Sequence, residues 1–232
     1  MAVTGRAIMR RFARWHIWLA WLAGVPVLMW TLSGLVMVTK PIEEVRGNHL
    51  RVASDPLPLS VPVAGLEGDA GIKEMRAFMQ RGRAVMLLTR MDDTQQRIDL
   101  ASNTALPPLD ALGARQVAAE TIVGGDRVAS VTLFPADRPA PDFRRPVATW
   151  QVALEDGTHV YIGRDSGEVE AVRTRWWRFY DTMWGLHIMD LQTREDSHHP
   201  ALVIFAALAL AGALLGVVLM FRRRKYFLRR VL

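Results

Sequence analysis

Two long runs of apolar residues, one near each end of the chain, are the strongest pattern in the sequence. They cover residues 17–38 and 201–221, and neither contains a charged side chain. At about 1.5 Å rise per residue, a helix of either length covers roughly 30 Å, the thickness of the hydrocarbon core of a bilayer. Both runs are therefore predicted to be transmembrane helices. A cleaved signal peptide is the alternative for the first run, although its apolar stretch is long and no small-residue cleavage site follows before Lys40.

Between these runs, the hydrophobic periodicity predicts a small unit of helix and antiparallel strands that occurs twice. Each copy begins with apolar residues at helical spacing and continues with short runs that indicate strands. The predicted elements are a helix over 72–80 and strands over 84–89 and 97–100 in the first copy, then a helix over 109–122 and strands over 128–134, 148–154 and 159–162 in the second. Helices combined with antiparallel strands predict an α+β fold for this region.

The approach to the second apolar run has a pattern of its own. Residues 173–191 combine many aromatic side chains with arginines near one end, which predicts an amphipathic helix within a juxtamembrane segment that covers 173–199. Within the run itself, Gly212 and Gly216 have the GxxxG spacing that lets two helices approach closely. The spacing leaves open whether the partner helix belongs to the same chain or to a second copy.

The charge distribution orients the two apolar runs. The chain carries 29 Lys+Arg against 23 Asp+Glu, and ten of the basic residues lie in the tails 1–16 and 222–232, which leaves 19 basic residues elsewhere. Basic residues beside a span mark its cytoplasmic end, so both termini are predicted to be cytoplasmic. Residues 40–199 then lie on the far side, which is the periplasm if the membrane is a bacterial inner membrane. The excess charge belongs to the tails, so no nucleic-acid partner is predicted.

Most enzyme classes lack their signatures in this chain. It contains no cysteine, which excludes disulfides, Cys-ligated zinc, iron–sulfur clusters and a thiol nucleophile. No nucleophile elbow, HExxH motif, Walker loop or dinucleotide fingerprint occurs either. No catalytic residue is predicted.

Histidines are the best candidates for chemistry. His16 stands at the start of the first apolar run, and His187 lies in the juxtamembrane segment. His198 and His199 follow several acidic residues and form a weaker candidate metal site, because imidazole and carboxylate suit several divalent metals. The alternative for that pair is a solvated loop, and His159 is predicted to be structural.

Three segments carry a resemblance to a known family. Residues 150–172, WQVALEDGTHVYIGRDSGEVEAV, resemble the end of a PepSY domain, with a strand, an Asp-Gly turn, a second strand and a closing Gly-Glu-Val. Residues 14–38, RWHIWLAWLAGVPVLMWTLSGLVMV, and residues 176–200, WWRFYDTMWGLHIMDLQTREDSHHP, are similar to the membrane motifs of PepSY-associated transmembrane proteins. The resemblance implies two transmembrane helices that flank a periplasmic PepSY-like α+β domain.

The resemblance also implies a cofactor. Four-span members of the family resemble haem b proteins that reduce ferric siderophores, and histidines at the ends of spans are their proposed ligands. By motif position only His16 and His187 qualify, and Gly185 beside His187 would permit close approach of a flat macrocycle. The two histidines lie about 30 Å apart by the length of a span. A bis-histidine haem therefore needs a homodimer, or a pairing of His187 with His198 or His199.

Two functions follow from these observations. The first is a haem-binding electron-transfer component of iron or siderophore reduction, which as an enzyme would be part of a haem-dependent membrane reductase. The alternative is a membrane-tethered periplasmic module that binds or inhibits a protein partner, which an exposed strand edge would favour. In this alternative His16 is a solvated interfacial residue, and His187 is a satisfied polar group on a helix that lies on the lipid bilayer.

The predicted organisation has seven parts. They are a basic tail (1–16), a first transmembrane helix (17–38), an extended lead-in segment (39–71), a PepSY-like α+β region (72–172), an amphipathic juxtamembrane segment (173–199), a second transmembrane helix (200–221) and a second basic tail (222–232).

Overall fold

The computed structural model describes residues 2–57 and 71–231, with side chains described for 8–57 and 71–221. The chain divides into two compact units. A helical unit comprises Met1–Lys40 and Phe179–Leu232, and a sheet unit comprises Pro41–Arg178.

Two long helices dominate the helical unit. They are α1 (Ala2–Met37) and α5 (Pro200–Val231), which pack against each other. Both are long and apolar enough to cross a membrane. Their large apolar side chains face outward, as at Trp21, which is 79% exposed. Such an apolar surface is typical of a helix in lipid and not of the core helix of a soluble domain. The basic tails continue these helices, since α1 begins at Ala2 and α5 ends at Val231.

The described residues of the sheet unit form two antiparallel sheets of four strands, each with its strands in chain order. The first sheet comprises β1 (Ile72–Gln80), β2 (Arg83–Arg90), β3 (Gln95–Asp99) and β4 (Thr104–Leu106), and the second comprises β5 (Val128–Phe134), β6 (Thr149–Leu154), β7 (His159–Gly163) and β8 (Val169–Arg173). A short helix, α2 (Ile42–Val45), and a 3-10 turn (Asn48–Leu50) precede the first sheet. Helices and antiparallel sheets together confirm the predicted α+β class.

The helix α3 (Ala111–Thr121) supplies the core of the second sheet. It begins where the Asp110 carboxylate accepts a hydrogen bond from the Gly113 amide at 2.7 Å, a typical N-terminal cap. One face of the helix then packs its small and branched side chains on the sheet. This core contains Ala114, Val117, Ala118, Ile122, Val152, Val160, Ile162 and Val172.

The helix predicted over 72–80 is wrong, because these residues form β1. Its apolar residues fit a helical spacing, but the next two residues, Arg81 and Gly82, both have positive φ and close a hairpin. That hairpin pairs β1 with the buried strand β2, and the pairing outweighs the local pattern. The strands predicted over 84–89, 97–100, 128–134, 148–154 and 159–162 are confirmed as β2, β3, β5, β6 and β7.

Two further boundaries differ from the predictions. The lead-in segment 39–71 is not wholly extended, since it contains α2 and the 3-10 turn, and its residues 58–70 lie outside the described residues. The juxtamembrane helix is α4 (Arg175–Ile188), slightly shorter than the predicted 173–191, because Arg173 ends β8 and a positive φ at Met189 turns the chain after Ile188.

Candidate functional site

The His16 ring lies where α1 meets the glycine pair of α5. Its Nδ1 atom is 2.9 Å from the carbonyl oxygen of Gly212. A Cβ atom placed on Gly216 would lie only 3.0 Å from His16 Cε1, so the missing side chain makes room for the ring. The side chain of Leu19 packs on Gly212 in the same way. The GxxxG face therefore serves packing within the chain, which answers the question that the sequence left open.

This contact fixes the protonation of His16. A carbonyl oxygen only accepts hydrogen bonds, so His16 Nδ1 must carry the proton and donate it. In a neutral imidazole the other nitrogen, Nε2, then has the free lone pair. Histidines that bind metals commonly have this arrangement, in which one nitrogen donates to a carbonyl and the other is the ligand.

The His187 ring contacts α1 in a similar way. It extends from α4, and its Nδ1 atom is 3.0 Å from the hydroxyl oxygen of Ser33, which is 2% exposed. A Cβ atom on the adjacent Gly34 would lie 3.4 Å from His187 Cε1. Ser33 thus supplies a hydrogen-bond partner for the His187 ring, and Gly34 leaves the space in which the ring packs.

Counting protons assigns the same tautomer to His187. The Ser33 hydroxyl has one proton, and the carbonyl oxygens of Met29 at 2.7 Å and Trp30 at 3.2 Å receive it. Ser33 Oγ must therefore accept the hydrogen bond from His187 Nδ1–H. Both candidate histidines consequently donate from Nδ1 and keep the lone pair of Nε2.

The two rings lie at different levels of α1. Ser33 follows His16 by 17 residues of one helix, which corresponds to about 26 Å of rise. This agrees with the expectation that the two histidines cannot ligate one iron within a chain. Each ring offers a single ligand at its own level.

Gly185 does not have the surroundings that the sequence suggested. A Cβ atom there would lie 2.9 Å from Arg194 Cγ and 3.0 Å from the carbonyl oxygen of Asp190. The space beside Gly185 is therefore filled by the loop that follows α4, and the expected approach of a macrocycle at this glycine is wrong.

Arg194 holds that loop on α4. Its Nη1 atom lies 2.5 Å from the Oδ2 atom of Asp181, a carboxylate that is almost fully buried. Its carbonyl oxygen accepts a hydrogen bond from the indole of Trp184 at 3.0 Å. Arg194 and Met189 both have positive φ, which turns the loop back along the helix.

The Asp190 carboxylate stabilises the same loop through hydrogen bonds with the loop's own residues. It accepts hydrogen bonds from the Thr193 hydroxyl and from the amides of Gln192, Thr193, Glu195 and Asp196. These bonds, led by that of the Thr193 hydroxyl, hold the pKa of Asp190 well below its usual value of 3.8. The charged form of Asp190 is thus part of the folded loop.

His198 and His199 do not assemble a metal site with the residues that the structure describes. No group of three His, Asp or Glu side chains comes together within the described part of the chain. The His198 amide donates to Asp196 Oδ1 at 2.8 Å, as in a capped turn, and the side chain of His198 is exposed. His198 thus has the exposure of a residue in a solvated loop, whereas His199 is half-buried.

His159 belongs to a polar cluster in the sheet unit. Its Nδ1 atom lies 3.1 Å from an oxygen of the Asp142 carboxylate, and the Tyr161 hydroxyl donates to the other oxygen. Burial raises the pKa of Asp142, but the bonds from His159 and Tyr161 outweigh it, so the pKa lies below its usual value. Burial, together with the bond to Asp142, raises the pKa of the Tyr161 hydroxyl. The cluster fastens the Asp142 loop to β7, a structural role like the one predicted for His159.

The sequence identified the two histidines and the pair Gly212 and Gly216, but not the contact between His16 and these glycines. It did not single out Ser33, whose partner His187 lies 154 residues away. No protein-family model, curated protein or solved structure matches the chain.

Proposed function

We propose that this chain is a membrane protein that binds haem b through Nε2 of His16 and of His187 and takes part in electron transfer to iron or a siderophore. The observation that carries the proposal is the contact that each histidine makes through Nδ1 with an oxygen of the facing helix. Each donates Nδ1–H to an acceptor on the facing helix, and each keeps the lone pair that a haem iron takes as an axial ligand.

The surroundings of both rings fit such a ligand. Both rings are half-buried, and both rest on a glycine that sets their position. A hydrogen bond from Nδ1–H also makes Nε2 a stronger donor toward a metal. When bound, haem b would supply a one-electron couple, and its axial ligands and their hydrogen bonds would tune the potential.

The separation of the rings determines the assembly. Because each level of α1 offers one ligand, a six-coordinate haem takes its second histidine from another copy of the chain. We therefore propose a homodimer in which His16 pairs with His16 and His187 with His187. A dimer of this kind has one haem at each level, and the pair forms a path for electrons through the bilayer.

The placement in the cell is part of the same proposal. We place both termini in the cytoplasm of a bacterium and the sheet unit, as a PepSY-like domain, in the periplasm. The support comes from the basic tails beside the apolar helices and from the resemblance of residues 150–172.

The test is a visible spectrum of the full chain, purified in mild detergent from iron-replete cells. We expect a Soret band, sharpened α and β bands after dithionite, and one haem per chain. The variants His16→Ala and His187→Ala should each halve the haem content. His49→Ala is the matched control, because His49 is exposed and should leave the content unchanged. A colourless protein that remains colourless after added hemin contradicts the proposal.

The second candidate function is a tethered module that binds a protein partner. The observation that favours it is β1, a long strand at an exposed sheet edge.

A further inference from the structure

One main-chain edge of β1 has no partner strand among the described residues. Within that part of the chain, β1 is an outer strand of the first sheet and pairs with β2 alone. The two-residue turn at Arg81 and Gly82 makes Gln80 and Arg83 a hydrogen-bonded pair, and such pairs recur at every second residue. Phe78 and Arg76 therefore direct their main-chain groups toward β2. The main-chain groups of Met75, Ala77 and Met79 point the opposite way, away from β2.

The far side of β2 supports this assignment. The Leu100 amide donates to the Ala84 carbonyl at 2.9 Å, so the even-numbered residues of β2 bond toward β3. Its odd-numbered residues then bond toward β1, as the turn requires. Among the described residues, none hydrogen-bonds the main-chain groups of Met75, Ala77 or Met79.

At the outer strand β8 of the second sheet, side chains bind main-chain carbonyl groups. At β8, Arg51 Nη2 donates to the Val169 carbonyl at 3.1 Å, and Arg145 Nη2 donates to the Glu170 carbonyl at 2.9 Å. Arginine side chains thus occupy acceptors that another strand would need, which is a known way to protect an edge. The nine residues of β1 have no such protection from the described residues.

The open edge adjoins a cleft of about 780 Å³. Its lining includes Phe78 of β1, Val117 of α3 and the exposed stretch 52–55, but most of it is polar, with the charged residues Arg51, Arg76, Arg81, Glu120, Glu168 and Glu170. Clefts of this size commonly hold small ligands, and this one runs beside unpaired main-chain groups. On the other face of β1, Met75 is 51% exposed.

We propose that β1 captures an extended peptide segment of a partner protein, which pairs with the main-chain groups of Met75, Ala77 and Met79 as an added strand. Alternate side chains of the peptide enter the cleft beside Phe78, and the others cover Met75. The partner segment therefore carries polar residues at the positions that face the charged cleft, apolar residues at the positions that face Met75, and no proline where it pairs. This inference does not depend on haem binding.

The probe is a capped peptide of alternating threonine and valine, added to the full chain in detergent. Hydrogen exchange reports on the amides of Ala77 and Met79, with that of Leu87 in β2 as an internal reference. We expect the two edge amides to exchange quickly in the free protein and at least tenfold more slowly with the peptide. The same peptide, N-methylated on the nitrogens that face β1, should give no protection, and this comparison needs no variant of the protein.

A pair of proline variants tests which N–H groups of β1 point away from β2. Ala77→Pro removes an N–H that points away from β2, so the fold should persist while peptide binding falls at least tenfold. Phe78→Pro removes an N–H that bonds to β2 and should lower the melting temperature strongly. Slow exchange of Ala77 and Met79 in the free protein would mean that the edge is already covered, by the chain or by a second copy. That result overturns the proposal, as does unchanged exchange with the peptide.

Discussion

The two histidine sites of the helical unit have the same tautomer, but different parts of the chain hold them in place. At the first site, the acceptor for His16 is the main-chain carbonyl of Gly212, within the long helix α5. At the second, the acceptor for His187 is a side chain, Ser33, and the histidine lies at the end of the short helix α4. A substitution at Gly212 leaves the carbonyl acceptor of His16 in place, whereas a substitution of Ser33 removes the acceptor of His187.

This difference has a consequence for dynamics. The position of α4 depends on the loop that Arg194 and Asp190 hold in place, and most residues of that loop are exposed. Elements held by few buried contacts open more easily than long packed helices. We therefore expect the His187 site to be the more adjustable and the His16 site the more rigid.

Loss of Arg194 should produce the largest difference in haem content between the His187 site and the His16 site. Arg194→Ala removes the ion pair with the buried Asp181 carboxylate and the packing of its stem on Gly185. We expect the helical unit to lose about 2–3 kcal/mol of unfolding free energy, since a buried charge loses a partner. Tryptophan fluorescence during detergent unfolding measures the loss, and haem at the His187 level should fall while that at the His16 level remains.

The control for this change is Gln192→Ala in the same loop. The Gln192 side chain is exposed, and only its amide bonds to Asp190. Equal stability of the two variants would contradict the role given to Arg194.

A larger residue at Gly216 should disturb the other site. In Gly216→Val, the new Cβ atom would lie 3.0 Å from His16 Cε1, and its methyl groups would crowd the ring further. We expect a cost of about 1–3 kcal/mol and a loss of haem at the His16 level only. Gly24→Val is the matched control, because nothing lies within 4 Å of a Cβ atom at Gly24. A uniform loss of haem at both levels would show that the two sites are not independent.

The sequence predicted helices and strands correctly where one face of the element is buried, because burial requires apolar residues at the spacing of that element. The strand pattern over 148–154 and the helical pattern over 109–122 both place buried residues in one core, and both elements form close to the predicted residues. The pattern over 72–80 misled because β1 is an edge strand, whose exposed residues are not constrained by a core. Its strand structure depends on the turn at Arg81 and on pairing with β2.

The candidate site shows the same limit. The histidines were recognisable by residue type and by position beside the apolar runs. Their orientation was not, because Ser33 and Gly212 are brought to them by contacts between distant parts of the chain. Gly185 was misjudged because the side chain that fills its space, Arg194, reaches it only through a loop with two positive φ values.

Removal of the Ser33 hydroxyl tests the second site alone. Ser33→Ala takes away the acceptor for His187 Nδ1–H, so we expect both tautomers of the ring to be populated in the haem-free protein. Nitrogen chemical shifts of the ring measure that change, which should cost about 1 kcal/mol of stability. Haem affinity at this level should fall roughly 10- to 100-fold. Thr31→Ala is the control, because the Thr31 hydroxyl bonds to the Val27 carbonyl at 2.9 Å and its only described partner is that oxygen.

Acid should loosen the loop beside His187 through Asp190. The folded-state pKa of this carboxyl lies below its usual 3.8, chiefly through the Thr193 hydroxyl, so its contribution to stability is present above that value. The contribution is lost as the pH falls toward the folded-state pKa, because the unfolded chain takes up the proton first. We expect the amides of Thr193 and Glu195, corrected for intrinsic rates, to lose protection between pH 5 and pH 3. In Asp190→Asn this dependence should vanish, and its persistence would assign the acid response to another carboxylate, such as Asp142 in the sheet unit.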